Sequence, residues 1–137
     1  MPLDAPLIET LTATATEAAA RAYAPYSRFQ VGAALLFDDG AIVSGANVEN
    51  ASYGLSCCAE RNALFRAISE QGPSRRIAAV AVFHDGAEAC PPCGACLQVM
   101  SEFAIESCVV FFSHGSEFRS ALFDELLPVR FNKAQLE

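Results

Sequence analysis

The stretch Ser56–Phe65, SCCAERNALF, sets two adjacent thiols, Cys57 and Cys58, ahead of a carboxylate, Glu60, and a guanidinium, Arg61, where a helical pattern begins. Further on, CPPCGACLQV places Cys93 and Cys96 at i and i+3, directly after Pro91 and Pro92, the position that favours a helix start. Two thiols so spaced suit a metal, and equally a redox dithiol. Glu60 alone could do no more than complement the positive end of a helix dipole. The combination is more specific than its parts. C-x-E on one helix start and P-C-x-x-C on another supply three soft ligands and one proton carrier. Catalytic zinc needs three protein ligands, an open fourth position for water, and an acid or base that is not itself a ligand. Cys57 is the rival of Cys58 as the partner of Cys93 and Cys96, and the C-x-E spacing favours Cys58, which leaves Cys57 as a packed thiol.

The elements that must hold these groups can be read from periodicity. Leu7, Ile8, Leu11, Ala15, Ala18, Ala19 and Ala22 recur at helical spacing, and Ala24–Tyr26, APY, ends that run. FQVGAALLF and AIVSGANV flank DDG, an Asp-Gly turn signal, and predict a β-hairpin. In the second helix Glu60, Ala63, Leu64, Ala67 and Ile68 share one stripe, so the carboxylate points inward with the apolar residues. RIAAVAVF and CVVFF are continuous apolar runs enclosing a third helical segment, CGACLQVMSEFA, whose Cys93, Cys96, Leu97, Met100 and Ala104 share a face. Strand, helix, strand with buried strands predicts a parallel crossover. The tail SEFRSALFDELLPVRF reads as a short edge strand and a helical turn broken at Pro128, and His84 and His114 read as loop residues near glycines.

Composition bounds the function. One domain, 1–137, is the natural reading of this length, at which folding buries roughly two thirds of the chain's surface. Apolar residues make up 53% and charged residues 18%, a balance that predicts surface buried between subunits. A net charge of −7 disfavours nucleic acid and anionic membranes as partners. MPLDAPLIET lacks the basic region and apolar core of a signal peptide, and no apolar run reaches the roughly 18 to 20 residues of a membrane span. A cytoplasmic location is expected, where six cysteines serve as ligands, catalytic groups or core filler rather than disulfides.

Four motifs, YSRFQVGAAL, GANVENASYGLSCCAER, PPCGACLQV and ELLPVRF, stand in the order of the cytidine deaminase family, and from about Ala24 to Phe131 the chain resembles its small homotetrameric type. The resemblance implies a three-layer α/β/α sandwich around a central mixed five-stranded sheet. It implies one zinc per subunit, sites at subunit interfaces, and hydrolysis of cytidine and 2′-deoxycytidine to uridine, 2′-deoxyuridine and ammonia. Glu60 would shuttle protons from the attacking water to the pyrimidine N3 and the departing amine. Arg61 resembles the arginine that hydrogen-bonds the thiolate sulfurs, drawing charge from an electron-rich site. Asn47 and Glu49 resemble the pair that binds ribose hydroxyls, although a turn-forming role for Asn47 stays open. Phe29 and Phe131 resemble the aromatic residues around the base, Phe131 reaching in from another subunit. Tyr53 and the backbone of Ala59 would complete the pocket.

Two departures bear on substrate range. Leu97 stands where relatives carry arginine, and Val129 and Arg130 stand where small residues are usual, so that Arg130 could narrow the entrance. Three other readings remain: a deaminase of another small cytosine compound, resembling blasticidin S deaminase; a zinc-binding domain used for assembly without catalysis; and a polynucleotide deaminase. The LLPVRF tail disfavours the first, the inward glutamate the second, and the acidic charge the third.

Overall fold

A computed structural model of the chain describes residues 3–137. Helix α1, Ala5–Ala19, starts where the Asp4 carboxylate accepts from the Leu7 N–H at 3.0 Å. Strands β1, Gly32–Phe37, and β2, Ile42–Ala46, form the expected hairpin. Its turn depends on Gly40, which at φ 90° donates its N–H to the Phe37 carbonyl. Helix α2, Ala59–Gln71, then leads into β3, Ile77–Phe83, and α3, Gly94–Ser101, carries the chain across to β4, Ala104–His114. The tail forms β5, Glu117–Leu122, and a single turn α4, Phe123–Leu126.

The sheet is five-stranded and mixed, in the order β2-β1-β3-β4-β5. Only the β3–β4 pair of this sheet is parallel, its two consecutive strands being joined through helix α3. Residue alternation sorts the side chains onto two faces. Ala34 and Leu36 of β1, with Ala79 and Ala81 of β3, meet Leu11 and Ala15 of α1. Leu35, Phe37, Val80 and Val82 point the other way, onto Ala63, Leu64, Cys96 and Met100 of α2 and α3. Helices therefore cover both faces, which explains why β1 is buried at every residue and reads as an unbroken apolar run. The expected three-layer α/β/α architecture is the one observed.

Two glycines set how closely the layers approach. A Cβ on Gly32 would lie 1.9 Å from the Ala15 carbonyl of α1, and one on Gly45 would lie 2.5 Å from the Ala63 nitrogen of α2. Both helices rest against backbone, and α2 is thereby seated directly on β2.

Three expectations shift at element ends. Helix α1 stops at Ala19, so Ala22 lies beyond it. Helix α3 stops at Ser101, and Ala104 pairs with Ile77 as the first residue of β4 instead of extending the helical stripe. The turn between them is closed by the Phe103 N–H on the Met100 carbonyl, and the Phe103 carbonyl is taken by the Ile77 N–H. His114 is not a loop residue, because it pairs with Glu117 and closes β4. Among the described residues no helix is long and apolar enough to cross a membrane.

Candidate active site

Cys58 and Cys93 are the residues immediately before α2 and α3, both in extended backbone, at φ −69° and −71°. Neither side chain caps its own helix, so both sulfurs are free to point outward from the helix starts. Cys96, fully buried in the first turn of α3, completes the group: the three sulfurs lie within 4.8 Å of one another, with Cys58 and Cys93 3.9 Å apart. A tetrahedron with metal–sulfur bonds of about 2.3 Å has edges of about 3.8 Å, so the cluster fits zinc. The donor set fits as well, three soft thiols beneath two converging helix N-termini. This group can hold a zinc ion.

The electrostatics favour ionisation of one sulfur, that of Cys58. Hydrogen bonds from Cys96, then from Arg61 and Cys93, hold the Cys58 thiol well below the usual thiol range against a desolvation cost. Cys96 is held above that range, first by its hydrogen bond to Cys58 and then by burial. One proton-poor sulfur is thus shared within the cluster, and a dication bound there would release the remaining protons. The guanidinium of Arg61 donates from Nη2 to Cys58 Sγ at 3.4 Å, and the neighbouring sulfurs of Cys58 and Cys96 strengthen its hold on its proton. Cys57 stands outside the cluster. Its backbone pairs with Val48, and burial raises its thiol.

Glu60 is only 4% exposed, on the buried stripe of α2 with Ala63, Leu64 and Ala67. Burial is the main force pushing its carboxyl up to about 7, and the nearby Cys58 adds to it. It opens onto a cleft of about 450 Å³ that also exposes Cys58 and Cys93. A buried carboxyl group therefore shares a cleft with the sulfur cluster.

The cleft is lined by Phe29, Asn47, Glu49 and Ala59, and among the described residues no lysine or arginine lines it. Asn47 spends half of its hydrogen-bonding capacity on the chain itself: Nδ2 donates to the Phe29 carbonyl at 2.7 Å and Oδ1 accepts from the Val31 N–H at 2.8 Å. Glu49 likewise accepts from the Tyr26 and Ser27 N–H groups and from the Ser27 hydroxyl, which hold its carboxyl below the ordinary range. Together they tie down the loop that presents Phe29, in which Arg28 sits in the left-handed region at φ 60°.

Two expected residues are not brought to the cleft within one chain. Tyr53 lines an adjacent hollow of about 300 Å³ with Tyr26, Ser27, Glu49 and Ser56. Phe131 is 58% exposed and stands apart from the cleft walls, its carbonyl accepting from Gln98 Nε2 at 2.7 Å. Arg130 does not narrow the entrance in this chain. It pairs with Asp124, lies over the Phe123 ring and donates from Nε to the Leu127 carbonyl. Leu97 is buried in the core between α3 and the sheet.

Sequence reasoning missed two residues near the site. Cys90 lines the cleft, and burial followed by the charges of Glu60 and Cys58 pushes its thiol up to about 11. His84 packs its ring on Phe29, at a centroid separation of 3.6 Å. Nothing in their spacing marked them, since both depend on where the loop after β3 lies.

A family model described as the cytidine and deoxycytidylate deaminase zinc-binding region matches residues 6–112. A cytidine deaminase of Halalkalibacterium halodurans is 48% identical over 124 residues, covering 90% of this chain and 92% of the relative. One from Sporosarcina psychrophila is 42% identical over 130 residues, covering 94% of each. Among solved structures, the cytidine deaminase of Burkholderia pseudomallei superposes with a TM-score of 0.83 at 44% identity, covering 90% of this chain and 98% of that one.

Proposed function

Because the chain belongs to the cytidine and deoxycytidylate deaminase family, we propose that it hydrolyses cytidine and 2′-deoxycytidine to the uracil nucleoside and ammonia. The observation that carries this reading is the buried Glu60 carboxyl opening onto the same cleft as Cys58 and Cys93, with Cys96 completing the metal-holding cluster. Zinc held by Cys58, Cys93 and Cys96 would supply Lewis acidity and make the attacking water more acidic.

The chain's own groups do the rest. Glu60 accepts a proton from the attacking water and delivers it to N3 of the pyrimidine as the oxygen bonds to C4. It then carries the second proton to the exocyclic amine, the C4–N4 bond breaks, and ammonia leaves. Water and cytidine are consumed, uridine and ammonia formed, and the carboxyl group returns to its starting state. Burial pushes this carboxyl upward, the direction that suits a group which must both accept and donate a proton. Arg61 offsets part of the charge of the sulfur cluster through Cys58. Ala59 offers its backbone at the cleft floor and Phe29 its ring as one wall. Asn47 and Glu49, facing the cleft with unused hydrogen-bonding capacity, take the sugar hydroxyls while holding the Phe29 loop.

The substrate is a nucleoside rather than its phosphate. A cleft with two carboxylates, ionisable thiols and no cationic wall residue repels a phosphate and suits an uncharged ligand. The chain acts as one domain, and four copies assemble so that Tyr53 and Phe131 complete neighbouring sites. Their exposure in the single chain supports that arrangement, as does Val129 at 90% exposed. Six free cysteines, none of them paired, fit a cytoplasmic enzyme in nucleoside salvage.

The test is direct. Purified zinc-loaded protein incubated with cytidine should release ammonia with a matching loss of the cytosine absorbance. Blasticidin S and cytidine 5′-phosphate serve as competitors, and turnover of either in preference to cytidine overturns the substrate assignment.

A further inference from the structure

The wall of the cleft formed by Phe29 is held by a residue outside the cleft. His84 follows β3, and its backbone is fixed at both polar groups by one buried hydroxyl. The His84 N–H lies 3.0 Å from Ser113 Oγ, and the Ser113 hydroxyl lies 3.0 Å from the His84 carbonyl. Ser113 is 1% exposed within β4, so the histidine is anchored to the sheet. From that anchor the ring reaches the Phe29 loop in two ways. Its centroid is 3.6 Å from that of Phe29, tilted by 49°. Its Nδ1 lies 2.8 Å from the Gln30 carbonyl, and since a carbonyl only accepts, Nδ1 carries the proton. A Cβ on Gly86 would lie 2.9 Å from Nε2, so the following turn closes over the ring's far side.

We propose that His84 is a positioning residue for substrate recognition, fixing Phe29 against the base from behind the cleft wall. The inference rests on the deaminase reading for its ligand and on the geometry alone for its mechanism. Asn47 bonds the Phe29 carbonyl and the Val31 N–H, leaving the Gln30 carbonyl between them for His84. Arg28, directly before Phe29, sits in the left-handed region, a strained point in this loop. His84 touches neither the sulfur cluster nor the cleft interior, so its loss acts on binding and not on proton transfer.

The test uses the zinc-loaded enzyme and three substitutions. His84→Ala should raise KM for cytidine about 3- to 10-fold, the range expected of an aromatic contact plus its support, with kcat within about twofold. His84→Asn keeps a donor where Nδ1 stood, and His84→Phe keeps a ring without it. Each should recover part of the loss. In a Phe29→Ala background, His84→Ala should add nothing further, because the residue acts through that ring. An unchanged KM overturns the proposal, as does a fall in kcat alone or a full second penalty in the Phe29→Ala background.

A second measurement needs neither activity nor a variant. The nitrogen-15 spectrum of the unmodified protein at mildly alkaline pH should show His84 as the Nδ1–H tautomer, with Phe29 ring protons shifted by the imidazole. An Nε2–H tautomer overturns the proposal even if every variant fails to fold. If the parent enzyme does not turn over cytidine, the deaminase reading falls while this spectrum still decides the geometry.

Discussion

Arg61 reaches back one helical turn to donate from Nη2 to the sulfur of Cys58 at 3.4 Å. The two residues sit at i and i+3 across the start of α2, so the same helix start presents a sulfur of the cluster and a guanidinium bonded to it. Three thiolates around a divalent ion leave net negative charge and weaken its Lewis acidity. Arg61→Gln should therefore lower zinc affinity or turnover about 10- to 100-fold, as loss of such a supporting partner typically does. Arg61→Lys should recover only part, since an ammonium lacks the planar fork. Chelator competition and cytidine kinetics measure both, and wild-type values for Arg61→Gln would remove Arg61 from the site.

Glu60 should prove indispensable to turnover and dispensable to the metal. Glu60→Gln keeps the shape of a buried side chain and removes its capacity to carry a proton. Activity should fall by at least the 10²- to 10⁴-fold typical of general acid–base catalysis, with zinc content unchanged by metal analysis. Retained turnover within about tenfold would assign the proton transfers elsewhere.

The ligand set makes a sharper statement about neighbours. Cys58→Ala, Cys93→Ala and Cys96→Ala should each lose zinc and activity, because each removes one of the three sulfurs grouped within 4.8 Å. Cys57→Ala and Cys90→Ala should keep the metal, since both thiols lie outside that group. If Cys57→Ala loses the zinc and Cys58→Ala keeps it, the assignment has shifted by one residue.

What was legible in the sequence divides along physical lines. The hairpin was written locally, in DDG between two apolar runs, and β1 and β2 formed there. The inward orientation of Glu60 followed from helical period alone, and it is buried with Ala63 and Leu64. The grouping of three sulfurs needed two helix starts 35 residues apart to converge, which spacing could suggest only because C-x-E and P-C-x-x-C each mark a helix start. The boundary at Ala104 was illegible, because an alanine at the end of a helical stripe carries no signal that Ile77 will pair with it. The double duty of Asn47 and Glu49, holding a loop while facing the cleft, was also out of reach. It rests on hydrogen bonds to backbone 16 to 23 residues away.

Seating of α2 on β2 ties stability to the site. A methyl group on Gly45 would lie 2.5 Å from the Ala63 nitrogen and 2.7 Å from the Ala59 carbonyl, both backbone atoms of α2 that cannot rotate aside. Gly45→Ala must push the helix outward, and overpacking of this kind costs about 1 to 3 kcal/mol. The melting temperature should drop by several degrees, and turnover should fall as well, because Cys58 and Glu60 move with the helix. A melting curve matching the parent would mean that the β2–α2 contact can yield.

The tail separates a composite site from a self-contained one. Phe131 is exposed and lies apart from its own cleft, while Gln98 of α3 holds its carbonyl in place. A large aromatic side chain fixed by its backbone and open to solvent is suited to fill a neighbour's site. Phe131→Ala should thus weaken cytidine turnover while leaving the zinc of each chain in place. The loss should be roughly 1 to 3 kcal/mol, the range for an aromatic side chain stacked on a base. Two damaged proteins provide the stronger test. When Glu60→Gln and Phe131→Ala chains are dissociated, mixed and reassembled, some sites should combine an intact glutamate from one chain with an intact phenylalanine from another. Activity should then exceed the sum of the two parents. With subunit exchange verified by mass, no gain would mean that each chain works alone, and the exposed ring of Phe131 would need another explanation.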